Sequence, residues 1–163
     1  MRKKSLTFAS FFIVFDQIIK MFINNVFSYG DVATIIPHFL NITKIYNPGA
    51  AWSLLAGGRY LLIVIAVCAF GMLLAYQKCF AYKERTIFGF ALIYGGLIGN
   101  LIDRCFLGYV IDYIEVFLGN YHFPIFNLAD ICLVTGFMLV IIALLKGEDK
   151  YEFKKLYKRH KSR

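Results

Sequence analysis

The chain alternates long apolar stretches with short polar or basic connections. Four of the stretches reach the roughly 20 residues that a helix needs to cross a bilayer, so we predict four transmembrane helices. Between the first two, residues 40–46 have the partial alternation and β-branched content of a short strand, which predicts a small sheet lying on the membrane. The predicted fold is an all-α integral membrane protein with four transmembrane helices and a small extracytoplasmic β-sheet. The predicted helices cover about residues 6–26, 60–80, 86–106 and 126–145.

Composition places the whole chain in one small membrane unit. Its 163 residues are 60% hydrophobic and include only three prolines, which makes the chain too apolar for an ordinary soluble domain and too short for several domains. We therefore expect a single membrane-embedded domain over residues 1–163.

The formal net charge of +8 comes largely from basic residues near the two ends and in one short connection. These residues are not interleaved with aromatic residues on a polar face, so a nucleic-acid partner is not expected. By the positive-inside rule they place both termini in the cytoplasm. The connections at about 27–59 and 107–125 carry few basic residues and are expected outside. The basic tail at 146–163 is expected to lie on anionic lipid in the cytoplasm.

Neither a metal site nor a disulfide framework is predicted. The four cysteines include no Cys-x-x-Cys pair, and the three histidines are far apart and lack ligand spacing. We expect the cysteines to fill apolar space and the protein to need no cofactor.

Two acidic residues, Asp112 and Asp130, stand near the ends of hydrophobic segments, where an ionised carboxylate is poorly solvated. If their side chains converge, the two acids share one proton. The ionised partner of such a pair takes a proton from water while the protonated partner polarises a peptide carbonyl, as in aspartic peptidases. The pattern favours proteolysis inside, or at the edge of, a membrane.

Other polar residues fall at the same depth of the predicted bundle. Asp16 lies past the middle of the first helix, and polar positions in the third and fourth helices reach the same outer half. Spacings of three and four residues put the polar side chains of each helix on one face, so an amide can orient an acid. The alternative is a buried polar network that only fastens the helices together. The residues concerned are Asp16, Asn100, Asp103, Arg104, Asn127 and Asp130.

Small residues recur along the predicted third helix. Ala91, Gly95 and Gly99 stand at every fourth position, which lets the backbone of another helix approach closely. This spacing predicts tight helix packing and carries no information about chemistry.

Five ordered blocks carry a resemblance that spans nearly the whole chain. The first is Asp-Gln-Ile-Ile-Lys at 16–20, and the second is Asn-Pro-Gly-Ala-Ala-Trp at 47–52. Gly-Asn-Leu-Ile-Asp-Arg at 99–104 is followed by Val-Ile-Asp-Tyr at 110–113 and by Phe-Pro-Ile-Phe-Asn-Leu-Ala-Asp at 123–130. As an ordered set these blocks resemble the motifs of the bacterial signal peptidase II family, the lipoprotein signal peptidases.

The resemblance implies an aspartic endopeptidase in which Asp112 and Asp130 are the catalytic pair. The implied substrate is a membrane-inserted prolipoprotein whose cysteine carries diacylglycerol, and cleavage falls just before that cysteine. The implied site faces the extracytoplasmic side of the bacterial cytoplasmic membrane. We expect membrane lipid as a partner and a monomer as the working unit. Residues that by resemblance hold substrate or support the site are Asp16, Lys20, Asn47, Gly49, Ala50, Asn100, Asp103, Arg104 and Asn127.

The segment at 27–59 is open to more than one interpretation. Gly49, Ala50 and Ala51 fit either a close approach to substrate or a neighbouring helix, or a tight turn that needs small residues. Trp52 is either an interfacial anchor or part of the substrate-covering surface. We hypothesise that the segment closes over the substrate as a mobile lid.

Two other functions fit the same acids. A small transporter or proton-coupled carrier would use intramembrane acids to relay ions. A scaffold subunit without catalysis would pair the acids with Arg104 and so stabilise helix contacts.

Overall fold

The computed structural model describes residues 2–49, 57–81, 83–119 and 121–148. Each of its four long helices is apolar enough to cross a membrane, and a 3₁₀ turn at Gln77–Cys79 extends the second. The four predicted transmembrane helices are therefore confirmed. The helices are α1 (Arg2–Val26), α2 (Arg59–Tyr76), α3 (Glu84–Phe106) and α4 (Leu128–Leu145).

Helix α3 forms the centre of the bundle. Most of its side chains are buried, including Phe90, Ile93 and Tyr94, whereas α1, α2 and α4 bury less than a third of theirs. The exposed faces of the outer helices are apolar, with Phe11 on α1 and Met138 on α4 as examples. A bilayer is the solvent that suits such faces, because lipid tails are as apolar as these side chains.

Glycines let α1 and α4 approach α3 closely. A Cβ at Gly95 would lie 2.7 Å from Cβ of Phe12, and one at Gly99 would lie 2.7 Å from Oδ2 of Asp16. The close approach predicted from the small-residue spacing is thus confirmed against α1. A second contact was not predicted: Gly96 faces α4, where a Cβ would overlap the backbone. Both distances are shorter than two non-bonded heavy atoms tolerate, so these positions fix the separation of the helices.

One antiparallel sheet with strand order β1-β2-β3-β4 lies at the end of the bundle where α1 and α3 end. The strand predicted at 40–46 is confirmed as β2, which pairs on one side with β1 and on the other with β3. The longest strand, β3, lies in a connection where no strand was predicted. The strands are β1 (Val32–Ile36), β2 (Leu40–Asn47), β3 (Val110–Leu118) and β4 (Tyr121–His122).

Strand β3 carries one of the two singled-out acids into the sheet. Asp112 stands opposite Ile45 of β2, and Val110 stands opposite Asn47. The β-branched and aromatic residues of Val-Ile-Asp-Tyr-Ile-Glu-Val are the composition expected of a strand. That signal is present in the sequence, although the segment was predicted only as part of the connection at about 107–125.

Candidate active site

Asp112 is buried in the sheet, with a relative exposure of 3%. Its Oδ2 accepts a hydrogen bond from Nδ2 of Asn47 at 2.9 Å, and its Oδ1 accepts one from Nδ2 of Asn127 at 2.7 Å. Oδ1 of Asn47 accepts in turn from the backbone N–H of Gly49 at 2.9 Å, which fixes the direction of the amide. The carboxyl group of Asp112 is therefore held by a donor on each oxygen.

Asp130 lies in the first turn of α4, and the local sequence explains its position. Asn127 caps the helix: its Oδ1 accepts from the N–H of Asp130 at 3.0 Å, while Oδ2 of Asp130 accepts from the N–H of Asn127 at 3.2 Å. This reciprocal pair satisfies two backbone donors that a helix start otherwise leaves free. Oδ1 of Asp130 accepts from Nδ2 of Asn100 on α3 at 2.8 Å.

Two asparagine amides connect the two acids. Nδ2 of Asn127 donates to Asp112 and also, at 3.2 Å, to Oδ1 of Asn100. Asn100 then donates to Asp130, so a continuous chain of hydrogen bonds runs from β3 through α4 and α3 to the second carboxylate. The structure thus brings together, around Asp112 and Asp130, the two asparagines that the sequence had placed at the same depth.

Burial raises the pKa of Asp112 from its ordinary 3.8 to about 7. The hydrogen bonds from Asn47 and Asn127 and the charge of Lys20 lower it, while the charge of Asp130 raises it further. Burial dominates because the ionised form loses its hydration there. A carboxyl group in this state keeps its proton up to a pH of about 7, and the protonated form can donate a hydrogen bond to a carbonyl oxygen.

A buried ionic cluster stands behind the pair, on α1 and α3. Nζ of Lys20 lies 2.9 Å from Oδ2 of Asp16, 2.8 Å from Oδ2 of Asp103 and 2.9 Å from Oδ1 of Asn100. All three charged side chains are at most 2% exposed. Oδ1 of Asp16 also accepts from the N–H of Ala129 at 3.1 Å, so the cluster fastens the start of α4.

This cluster supports the site without lining it. Oδ2 of Asp103 accepts from the N–H of Ile111 at 3.2 Å, which ties α3 to the residue before Asp112. Asp16, Lys20 and Asp103 do not line the cleft described next. A buried cation between two buried carboxylates is stable only as a set, since each charge compensates for the lost hydration of the others.

An open cleft of about 310 Å³ gives access to both carboxyl groups. One wall is polar and carries the acids, the asparagines of α3 and β2, and one cation. The other wall is apolar and comes from the connection before α4 and from α4 itself. The volume of the cleft lies at the lower end of the range for ligand sites. The lining residues are Asn47, Asn100, Arg104, Val110, Asp112, Phe123, Pro124, Ile125, Phe126, Asp130, Leu133 and Val134.

Arg104 is the cation in the cleft, and it binds backbone. Its Nη2 donates to the carbonyl of Gly49 at 2.8 Å and its Nη1 to the carbonyl of Asn100 at 3.2 Å. Within the described residues Arg104 forms no ion pair with Asp112 or Asp130, and its Nε is buried without a partner. The scaffold hypothesis required Arg104 to pair with the acids, and this geometry does not provide that pairing.

Sequence reasoning missed three residues that position the site. Nε and Nη2 of Arg59 donate to the carbonyls of Arg104 and Cys105 at 2.7 and 2.6 Å, which joins the start of α2 to the end of α3. The hydroxyl of Tyr113 accepts from the N–H of Leu128 at 3.1 Å, satisfying a fourth backbone donor at the start of α4. Gln17 donates to Asp103 at 2.9 Å. Only Gln17 and Tyr113 lay inside a recognised block.

Part of the predicted site lies outside the described residues. Ala50 and Trp52 are in the range 50–56, which the structure does not describe, as is part of the segment that we hypothesised to be a lid. Gly49 is described, and its contacts with Asn47 and Arg104 hold the end of β2 beside the cleft. Among the residues described, no group of three histidine, cysteine or acidic side chains is arranged to bind a metal ion.

Comparison with known proteins agrees with this geometry. The family model described as Signal peptidase (SPase) II matches residues 8–146. A lipoprotein signal peptidase of Staphylococcus aureus strain JH9 is 37% identical over 153 residues, covering 93% of this chain and 94% of that protein, and the protein of strain Newman matches equally.

Two solved structures, both described as bacterial membrane enzymes studied by the in meso method, share the fold. One has a TM-score of 0.81 with 40% identity and covers 87% of each chain. The other has a TM-score of 0.75 with 38% identity and covers 87% of this chain and 92% of its own. Because the family model covers most of the chain and the relatives match over nearly their whole length, the chain belongs to the signal peptidase II family.

Proposed function

We propose that this membrane protease removes signal peptides from prolipoproteins with Asp112 and Asp130 as its catalytic pair. The activity follows from the family, and the assignment of the pair rests on one observation: both acids line a single cleft and are joined through Asn127 and Asn100. The family gives no support to the transporter hypothesis.

In the proposed reaction the acids act in different protonation states. Asp112, with its raised pKa, holds the proton and donates a hydrogen bond to the oxygen of the scissile carbonyl. Asp130, held by Asn100 and by the start of α4, takes a proton from water as that water attacks the carbonyl carbon. When the tetrahedral intermediate collapses, the C–N bond breaks and the nitrogen leaves with a proton. The acid that took up the proton from water supplies it.

The proposed substrate is a prolipoprotein whose cysteine already carries diacylglycerol, cut just before that cysteine. The apolar wall of the cleft, with Phe123, Leu133 and Val134, gives acyl chains or apolar side chains a surface beside the acids. A lipid anchor would hold the scissile bond at the depth of the cleft, so positioning need not come from peptide contacts alone.

The proposed orientation puts the sheet and the cleft on the extracytoplasmic side and both termini in the cytoplasm. The distribution of basic residues supports this, because Arg2, Lys3 and Lys4 lie in the first turn of α1, at the end of the bundle opposite to the sheet. A signal peptide that crosses with its charged end inside presents its cleavage site at the outer face. We also propose a monomer as the working unit, because one chain supplies both acids and the asparagine amides that hold them.

A gel-shift assay with purified protein and a diacylglyceryl-modified prolipoprotein tests the pair. Asp112→Asn and Asp130→Asn should each lower turnover by roughly a thousandfold or more, because an amide keeps the shape but cannot exchange the proton. Asp31→Asn is the matched control, since Asp31 is exposed and contacts only a turn in the described structure. Appreciable turnover by a folded Asp112→Asn or Asp130→Asn protein would remove the proposed pair.

A further inference from the structure

A second concave surface lies at the end of the bundle opposite to the cleft. It is a groove of about 780 Å³ between the first turns of α1, the first turns of α3 and the middle of α4. It shares no lining residue with the cleft that contains the acids. The proposed cleavage reaction does not use it. The groove is lined by Lys3, Lys4, Thr7, Phe8, Glu84, Arg85, Ile87, Phe88 and Leu139.

The floor of the groove is apolar. Phe8 is 51% exposed and Phe88 is 45% exposed, although both belong to helices that pack against each other. The ring of Phe88 contacts Phe12 edge-on, with the centroids 5.7 Å apart, so the aromatic surface continues from α3 to α1. Leu139 closes the groove on the α4 side. An exposed apolar channel of this size is suited to an acyl chain.

The rim of the groove is cationic. Three basic side chains line it, Lys3, Lys4 and Arg85, together with one acid, Glu84, and a second acid, Glu148, pairs with Arg85. Arg85 is held at the rim because its Nη1 lies 3.1 Å from Oε1 of the buried Glu148. Basic residues next to a membrane-spanning helix attract anionic lipid headgroups.

We propose that this groove binds one anionic phospholipid, with the headgroup phosphate at Lys3, Lys4 and Arg85 and an acyl chain along Phe8, Phe88 and Leu139. The charge of the rim selects a lipid with net negative charge, and the apolar floor requires the chain. A soluble phosphate ester has no acyl chain to contact the apolar floor of the groove. A zwitterionic lipid brings its own cation to a rim in which basic side chains already outnumber acids.

Native mass spectrometry of the full chain, released from detergent with equal amounts of phosphatidylglycerol and phosphatidylcholine of the same acyl chains, tests the proposal. We expect retained phosphatidylglycerol to exceed phosphatidylcholine on the native protein. Lys3→Gln/Lys4→Gln should lower the retained phosphatidylglycerol on the order of tenfold. The control Lys78→Gln/Lys146→Gln removes two exposed positive charges from the same end of the bundle but outside the groove, and it should retain the native amount.

The apolar floor is tested separately, which also covers the case in which the double lysine variant does not fold. Leu139→Trp fills the groove and should displace the lipid, whereas Met138→Trp changes the neighbouring exposed position outside it and should not. Equal retention of the two lipids, or equal loss in test and control variants, would overturn the proposal. Competition by soluble glycerol phosphate as effective as by lipid would show a phosphate site instead, and would overturn it too.

Discussion

Nδ2 of Asn127 lies 2.7 Å from Oδ1 of Asp112, while the other end of the same side chain caps α4 and holds the N–H of Asp130 at 3.0 Å. One asparagine therefore fixes the strand that carries one acid relative to the helix that carries the other. The amide group needs both ends for this: the oxygen accepts from the helix start and the nitrogen donates to the carboxyl group.

Substitution of Asn127 should separate stability from catalysis. Asn127→Ala removes the cap and the donor together, so we expect a loss of about 1 kcal/mol or more in the free energy of unfolding and a large loss of turnover. Asn127→Asp keeps a good cap but places a carboxylate against Asp112, where the amide had donated. At low pH, Asn127→Asp should recover the thermal stability that Asn127→Ala loses. It should still cleave poorly. Recovery of full turnover by Asn127→Asp would show that the donor is dispensable.

Cleavage should slow as the pH rises through about 7, because the proposed role of Asp112 requires its proton. Asn47→Ala removes a hydrogen bond that favours the ionised form, so the pKa of Asp112 and the alkaline limb of the kcat profile should both move upward. Asn41→Ala is the matched control on the same strand, since Asn41 donates to Glu115 and not to Asp112. An alkaline limb that stays in place in Asn47→Ala would exclude Asp112 as the titrating group.

The same carboxyl group makes folding depend on pH. Its pKa is about 7 in the folded protein against 3.8 ordinarily, so between these values the folded state keeps a proton that the unfolded state releases. Its contribution to the free energy of unfolding is present below 3.8 and is lost as the pH rises through 7. Asp112→Asn carries no titrating proton and avoids this loss. Its Tm relative to the native protein should therefore rise from about pH 4 to pH 8, and a constant difference would contradict the raised pKa.

The helices and residues that form the site were predicted from the sequence more fully than the contacts between them. The apolar lengths gave the four helices, and the recognised blocks contained every residue that now connects Asp112 with Asp130. The link between Asn100 and Asn127 had no local signal, because the two residues are 27 positions apart and lie on different helices. The distance between these two side chains depends on how closely α3 approaches α4. The pattern of apolar and polar residues along the sequence does not indicate that separation.

The position of Asp112 was harder to predict for a related reason. Its segment is apolar with one acid, and a run of that length fits a strand or a buried helix segment equally well. Pairing with β2 decides between them, and the register that puts Asp112 beside Ile45 arises from residues 67 positions away. Arg59 lay outside every recognised block, so its contacts with the end of α3 could not be predicted either.

Loss of the Lys20 charge should destabilise the bundle. Lys20→Met leaves Asp16 and Asp103 buried without their cation, and removing one partner of a buried ionic set typically costs about 3–5 kcal/mol. The triple variant Asp16→Asn/Lys20→Met/Asp103→Asn removes all three charges and should recover part of the loss. Thermal unfolding in detergent measures both. If Lys20→Met were as stable as the native protein, the cluster would not fasten the helices.

The spacing of α3 and α4 can be tested with one methyl group. A Cβ at Gly96 would overlap the carbonyl oxygen of Ala129 and come within 2.8 Å of Leu133, so Gly96→Ala must push α4 away from α3. Such overpacking typically costs about 1–3 kcal/mol, and because Ala129 precedes Asp130, we expect kcat to fall as well. Gly71→Ala is the control: a Cβ at Gly71 of α2 meets nothing within 4 Å. That variant should keep native turnover and gain up to about 1 kcal/mol from helix propensity. Equal kcat values for the two variants would show that the approach of α4 to α3 does not set the position of Asp130.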